Sequence, residues 1–466
     1  MHIVILGAGS VGFGLARQLI NEHNDIVLIE RDPEKAQHAS DLLDCLVINE
    51  PGNNTATLKK AGIDRADYFV GVTESDEVNI IACGMAASEF GVPHKIARIR
   101  NVDYSDARIL KPPFLGIDYI VNPDQEVAKA ILDAVERGAV SDVMFFERTG
   151  MQMRSLTVGS EFGFTGKTIQ ETRDAFEVNF LVAVILRGNS YLVPSGTTRI
   201  HDGDKLYMIA SEEDFEQIFT TLGRDRAALN RIVILGAGRI GQTVVEQLVR
   251  AESRQPSFFR RVLSTLRVSE KRKLTVIDND PAHCRLIADR HPNVLVLNAD
   301  ISDEKFAEEE QFANTDLLVS TTSNQELNMV TGIYAKKLGT RRAVALVNKS
   351  YYVHVASSLG IDVAISPVDS MVSTIMGYIS RGNVRRVHRI SGSTIEVIEL
   401  SVEPASRAAG KRIRDLKFPK NALVLAVTRN DQNIIPDGDF TLRPGDNLIV
   451  IALRESVPRL EAMFTE

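Results

Sequence analysis

Three cysteines among 466 residues, Cys45, Cys83 and Cys284, are odd in number and share no metal-ligand spacing. That excludes a disulfide framework and a thiolate metal site, and it points to a reducing compartment. Long apolar runs are also missing. Every stretch free of charged residues falls short of the ~20 needed to span a bilayer, so a membrane role requires a partner. Met1-His2 leads directly into the first apolar run, leaving no place for a basic, then apolar, secretory leader, and the chain is expected to stay in the cytoplasm. Positive charge is in deficit: 54 Lys and Arg against 61 Asp and Glu give a formal net charge of −7. Such a balance argues against a general nucleic-acid binder.

What is present is a repeat. Residues 3–12, IVILGAGSVG, return with eight of ten letters identical as IVILGAGRIG at 232–241. Each copy is a buried-strand pattern that breaks into G-x-G-x-x-G and is followed by a helical apolar stripe, in the first copy Leu15, Ala16, Leu19 and Ile20. In such a strand–turn–helix, Gly7 and Gly236 make the turn. Gly9 and Gly238 let the backbone approach a pyrophosphate, and Gly12 and Gly241 let helix and strand pack closely. The intervening Ala8, Ser10, Val11, Ala237, Arg239 and Ile240 complete the two loops, whose N–H groups face the phosphates at a helix N-terminus. An acidic residue ends the second strand of each copy, Glu30 in DIVLIE and Asp278 in LTVID, placed to accept hydrogen bonds from ribose hydroxyls. Asp32-Pro33 and Asp280-Pro281 then open the next helices. A carboxylate there repels a 2′-phosphate and favours NAD(H) or an adenosine nucleotide over NADP(H), with Arg31 a complicating neighbour in the first site.

The match continues far beyond the loops. DYFVGVTESDEVN (67–79) answers to DLLVSTTSNQELN (316–328), with Asn79 and Asn328 in register, and GIDYIVNP (116–123) answers to GIDVAISP (360–367). Arg137-Gly138 likewise matches Arg381-Gly382. Strands are expected near 3–6, 26–30, 45–49, 67–73, 95–100 and 118–122, alternating with helices. The fold class is therefore α/β, with two doubly wound parallel-sheet Rossmann domains, each followed by a small α+β domain. Amphipathic crossover helices are expected at 124–137 and 368–381. The small domains carry matching strands and turns over 180–210 and 423–452, with Pro194 or Pro436 in one turn and Gly203-Asp204 or Gly445-Asp446 in the next. The division runs 1–123, 124–225, 229–367 and 368–466.

The copies differ in two places. The second carries about 19 extra residues within 250–273, a segment (the insertion itself being about 251–273) with eight Arg or Lys against two Glu. It reads either as a basic arm for a partner, an acidic surface or a phosphate, or as a solvated excursion. On the fifth strand, ARIRN (97–101) carries Arg98 and Arg100 where VALVN (344–348) has Ala345 and Val347, so the two sites are not equivalent.

No two of the nine histidines occupy matching places in the halves, and H-E-x-x-H, paired-cysteine and Ser-His-Asp patterns are absent. No catalytic residue and no metal site is assigned, and the nucleotide is read as a signal. An NAD-dependent oxidoreductase with duplicated Rossmann domains stays open as the alternative, as does a nucleic-acid or acidic-surface binder using 250–273.

The tandem arrangement, VILGAGSVG, VTESDEVN, IARIRN and the GD-x-L opening of each last strand together resemble the peripheral subunits of bacterial Trk potassium-uptake systems, built from regulator-of-potassium-conductance (RCK) domains. The resemblance spans the whole chain. It implies a non-catalytic regulator that binds NAD(H), possibly ATP/ADP, and forms a homo-oligomeric ring, a dimer or tetramer of chains. The ring would sit on the inner face of the membrane, attached to a membrane-embedded Trk-type potassium translocator. It adds Thr73, Glu74 and Arg98 to the first site and Thr322 to the second. The family's Gly-Asp after the third strand is here Gly52-Asn53 and Ala299-Asp300, each keeping half.

Overall fold

A computed structural model describes every residue except 23, 106–109, 111–114, 137–142, 147–148, 160–162, 177, 189, 223–228, 254–271, 302–311, 380–385, 390–394, 420, 431 and 466. The Arg137-Gly138 and Arg381-Gly382 pairs and most of the basic segment 250–273 thus lie outside the described residues.

Short runs of Ile, Val and Leu bounded by Gly, Asp and Asn make the strands, which are buried on both faces at the centre of the sheet and partly exposed at its edges. In the first copy these are β1 (His2–Leu6), β2 (Asp25–Ile29), β3 (Leu46–Ile48), β4 (Tyr68–Gly71), β5 (His94–Arg98) and β6 (Tyr119–Val121). They form one parallel sheet in the order β3-β2-β1-β4-β5-β6. The order reverses between β1 and β4, and ligands of such sheets bind at that switch point, outside the strands' C-terminal ends. The fourth strand stops two residues earlier than expected because the Thr73 N–H leaves the ladder for the Asn79 side chain.

The first small domain supplies β7 (Val143–Phe146), β8 (Met151–Thr157), β9 (Phe180–Arg187), β10 (Ser190–Leu192) and β11 (Lys205–Ala210). The second large domain repeats the first with β12 (Arg231–Leu235), β13 (Lys273–Asp278), β14 (Leu295–Asn298), β15 (Leu317–Ser320), β16 (Arg342–Leu346) and β17 (Val363–Ile365), in the order β14-β13-β12-β15-β16-β17. The second small domain closes the chain with β18 (Arg386–Arg389), β19 (Ile395–Ser401), β20 (Leu423–Arg429), β21 (Gln432–Ile434) and β22 (Asn447–Leu453).

The four parts associate as two compact units, Met1–Ala139 with Ala228–Ile379, and Val140–Ala227 with Ser380–Glu466. The crossover helices, grouped by the sequence reading with the small domains, belong to the large unit, and each packs on the opposite copy. Helix Pro123–Glu136 places Val127, Ala128, Ile131 and Val135 in one core with Ile232, Ile234, Val244, Val245 and Leu248 of the second copy. Helix Pro367–Ile379 places Met371, Val372, Ile375, Met376 and Ile379 against Ile3, Ile5, Leu15 and Leu19 of the first. A hydrogen bond from Thr374 Oγ1 to Glu126 Oε2 (2.7 Å) joins the two exchanged helices, and Tyr378 of the second stacks on Tyr119 of β6 (centroids 4.6 Å apart). The physical reason is the apolar stripe: the helix needs a sheet face, and the one it reaches is the other copy's.

In the small unit two antiparallel sheets, β10-β9-β11-β8-β7 and β18-β19-β22-β20-β21, share a core that joins Met153, Val184 and Ile209 to Val397, Leu425 and Ile451. The Gly-Asp turns have a structural job. Asp204 is 1% exposed and accepts two bonds from Arg187 (2.9 and 2.8 Å) and one from the His201 N–H (2.8 Å). Asp446 repeats this with Arg429 (2.8 and 2.7 Å) and the Arg443 N–H (2.8 Å).

Candidate nucleotide site

The glycine loops do three different things. Gly7 has φ +106° and Gly236 φ +101°, left-handed conformations that let β1 and β12 turn into their helices. A Cβ on Gly12 would lie 1.8 Å from the Gly7 carbonyl oxygen, and one on Gly241 1.9 Å from that of Gly236, so helix and strand approach only through glycine. A Cβ on Gly9 or Gly238 would meet nothing within 4 Å. These two positions are therefore bare for the sake of whatever lies outside the loop, not for packing.

The helix that follows, Ser10–Asn21, has Gly9 at its N-cap and no side-chain cap bond. Neighbouring helices are capped: Asp32, Asn54 and Ser75 each accept first-turn N–H groups. An uncapped N-terminus behind a bare loop leaves backbone donors and the positive dipole end facing the cleft. The residues present thus fit an anionic diphosphate.

Glu30 is 8% exposed and its oxygens accept the Ala8 N–H (2.6 Å) and the Asp32 N–H (2.9 Å). Asp278 holds the Ala237 N–H (2.5 Å) and the Asp280 N–H (2.7 Å) in the same way. Each carboxylate thus fixes the shape of its own glycine loop. Each oxygen retains a second lone pair for a hydroxyl donor. The N–H groups of Ala8 and Ala237, by contrast, are already engaged.

The far wall rests on two buried asparagines whose role the sequence reading did not assign. Asn79, fully buried, accepts from the Thr73 N–H (2.9 Å) and Thr73 Oγ1 (2.7 Å) and donates to Thr73 O (3.1 Å) and Arg98 O (2.8 Å). Asn328 makes the same four bonds to Thr322 and to Leu346 O. The signal was available: an amide at one register in both copies, on an otherwise apolar helix face. Thr73 and Thr322 reach the cleft with their hydroxyls turned back to these amides.

A cavity of about 800 Å³ joins both loops. Gly7, Gly9, Ser10, Val11, Glu30, Thr73, Glu74 and Arg98 line it from the first copy, and Gly238, Arg239, Ile240 and Thr322 from the second. Ala8, Gly12, Gly236, Ala237, Gly241 and Asp278 are not among the residues that line it. Lys35 and Asp124 also line it, and neither was anticipated.

Arg98 donates to Thr73 O (2.9 Å), and burial followed by the neighbouring Arg100 lowers its pKa. Asp124 lies between Arg239 (3.3 Å) and Arg100 (4.0 Å). In the second copy the strand register places Leu346 and Asn348, not the Ala345 and Val347 expected from the sequence, where the first copy has Arg98 and Arg100, so the second site lacks both guanidiniums. Among the described residues no cluster of three or more His, Cys, Asp or Glu could hold a metal ion, and no helix is long and apolar enough to cross a membrane.

With this geometry in hand, comparison with known proteins is specific. The TrkA-N domain profile matches residues 3–123 and 257–367, and the TrkA-C domain profile matches 153–223 and 397–465. The chain belongs to the TrkA family. A Trk system potassium uptake protein TrkA homolog of Archaeoglobus fulgidus is 30% identical over 464 residues, and TrkA homolog 1 of Methanosarcina mazei is 28% identical over 470 residues. Both comparisons cover 100% of each chain. Among solved structures, the GsuK channel bound to NAD aligns with a TM-score of 0.55 at 18% identity, covering 99% of this chain and 78% of that one, a likeness of fold. The second TrkA-N match starts at 257, after the second glycine loop at 232–241. That loop joins the TrkA-N pattern through its fold, since β12 and the helix Arg239–Ser253 repeat β1 and its helix.

Proposed function

We propose that this TrkA-family chain is a cytosolic, non-catalytic regulatory subunit that binds NAD(H) and/or ATP/ADP and thereby gates a membrane-embedded Trk-type potassium translocator. The observation that carries the reading is the doubled cradle: two strand–glycine-loop–helix junctions whose central glycines, Gly9 and Gly238, are bare toward one shared cavity. The loops Gly7–Gly12 and Gly236–Gly241 hold the diphosphate, Glu30 and Asp278 the ribose hydroxyls. Thr73, Glu74, Arg98 and Thr322 border the remaining parts of the ligand. The relatives' name, potassium uptake protein, supplies the transporter as partner, and the exchanged helices supply the means of transmission. A ligand that alters the spacing of the loops acts on two sheets at once. A homo-oligomeric ring of these chains on the inner face of the membrane places several cradles on one translocator. A nucleotide shifts such an assembly only by its differential affinity for two states, about 1–3 kcal/mol of coupling.

Calorimetric titration of NADH, NAD⁺, ATP and ADP into wild type, Gly9→Asp and Gly238→Asp tests the reading. Wild type should bind at least one of the four, and each substitution should remove one class of sites by setting a carboxylate against the diphosphate. Failure of all four ligands to bind wild type refutes it, as does sustained NADH production from NAD⁺ and a panel of alcohols and hydroxy acids.

A further inference from the structure

Asp124 touches both copies. It sits in the first turn of the exchanged helix Pro123–Glu136, with a side chain only 14% exposed, 3.3 Å from the Arg239 guanidinium of the second glycine loop and 4.0 Å from that of Arg100 beside the first. The helix does not need this carboxylate as a cap, because Asn122 Oδ1 accepts the Asp124 and Gln125 N–H groups. The pseudo-equivalent place in the other half has no counterpart. There Val368 stands for Asp124, Ser10 for Arg239 and Asn348 for Arg100, and Val368 packs on the first copy's apolar core. The repeat has thus acquired a charge bridge between its two cradles on one side only.

Taking the nucleotide reading above as its premise, we propose that Asp124 is a shared counter-ion that makes the two cradles antagonistic. A diphosphate on the second loop lies at the helix terminus that bears Arg239 and draws that guanidinium toward itself. Asp124 then closes on Arg100, which leaves Arg100 less available to an anion in the first cleft. Conversely, phosphates that engage Arg98 and Arg100 leave Arg239 as the only partner of a partly buried carboxylate, and hold it away from the second loop. The antagonism is reciprocal by linkage. A coupling at the lower end of the usual range corresponds to about a 5-fold loss of affinity for the second ligand.

The test uses NADH as the probe. The uncharged blocks Gly238→Val and Gly9→Val, in the full chain, give the affinity of each cradle alone. The constant for filling both sites in wild type is then compared with the product of those two. It should fall about 5-fold or more below the product, and in Asp124→Asn, with Arg239→Gln as the second variant, it should return to within about 2-fold, circular dichroism confirming that each variant is folded. Independent filling in wild type, or an unchanged deficit in both variants, overturns the inference while leaving nucleotide binding intact. Binding of neither NADH nor ATP to wild type overturns both.

Discussion

Replacing Asn79 by Ala cuts the four bonds that tie the end of β4 to β5, and the surroundings decide how much each loss costs. Thr73 Oγ1 also donates to Ser75 O (3.2 Å), so the hydroxyl keeps a partner, and Thr73 O still receives the Arg98 guanidinium (2.9 Å). Two groups are orphaned, the Thr73 N–H and Arg98 O, each at about 1–3 kcal/mol when buried. With partial access of water at Thr73, the expected loss is about 2–4 kcal/mol. In the second copy Leu346 stands in the place of Arg98, so Thr322 O has no guanidinium to fall back on. Asn328→Ala should therefore cost about 1 kcal/mol more than Asn79→Ala. Urea denaturation followed by circular dichroism suits a chain without tryptophan. Asn79→Asp adds a pH signature. Its carboxylate would face the carbonyl oxygens of Thr73 and Arg98, raising the substituted group's pKa in the folded state. The variant should lose stability relative to wild type as pH rises from the unfolded value near ~4 through the folded one. A loss below about 1 kcal/mol for both alanine variants, or a milder effect at Asn328 than at Asn79, refutes the keystone role.

Two further outcomes follow from buried groups. Burial alone would raise the pKa of Asp204, but the Arg187 fork, then the His201 N–H, outweigh it and hold the carboxyl below its ordinary value. The stability it contributes is complete above the unfolded pKa and is lost as pH falls through the folded one, so acid titration should loosen the small unit below about pH 4. Arg187→Ala, which strands that carboxylate, should cost about 2–3 kcal/mol at neutral pH, toward the low end for a buried pair because Arg187 is itself about a third exposed. The measurement is urea denaturation across pH, and a variant with wild-type acid stability would contradict it. Thiol labelling gives the other: burial pushes the Cys83 thiol up to about 12. Burial and Asp44 raise the half-buried Cys45. Labelling at pH 8 should reach Cys45 slowly and Cys83 only on unfolding, and prompt modification of native Cys83 would count against the packing behind β5.

The strands, the glycine junctions and the tandem plan were legible because each rests on local chemistry: apolar runs of the right length, glycines where φ is positive or a Cβ has no room, and acids at strand ends. The sheet exchange was not. Val127, Ala128, Ile131 and Val135 announce a helix with one apolar face, but periodicity says nothing about which of two near-identical sheets that face will meet. Asp124 was missed for the same reason, since its partner Arg239 lies 115 positions away and belongs to the other copy. Asn79 and Asn328 were seen in register, yet their meaning depends on carbonyls that only the folded sheet brings together. Glu30 and Asp278 were read as ribose ligands, and the structure adds an inward role, the tethering of Ala8 and Ala237, that a motif cannot express.

The exchanged helices carry a last consequence for why the two copies are fused. The apolar positions of the first helix, 127, 128, 131 and 135, have the same spacing as 371, 372, 375 and 379 in the second, so one helix can take the other's place. Cutting the chain after residue 226 removes Met371, Val372, Ile375, Met376 and Ile379 from the first sheet and leaves the stripe of Pro123–Glu136 uncovered. At about 1.5–3 kcal/mol per buried apolar side chain, the uncovered face forfeits on the order of 10 kcal/mol, comparable with the stability of a whole domain. Such a fragment should not stay monomeric. Two copies can each lend Pro123–Glu136 to the other's sheet and rebuild the arrangement of the intact chain as a homodimer. Sedimentation of fragment 1–226 should show a dimer that dissociates only with loss of circular dichroism, and Ile131→Asp should abolish it. A stable, folded monomer would mean that the exchanged helix is an ornament on a self-sufficient sheet, and the route by which one cradle senses the other would have to be sought elsewhere.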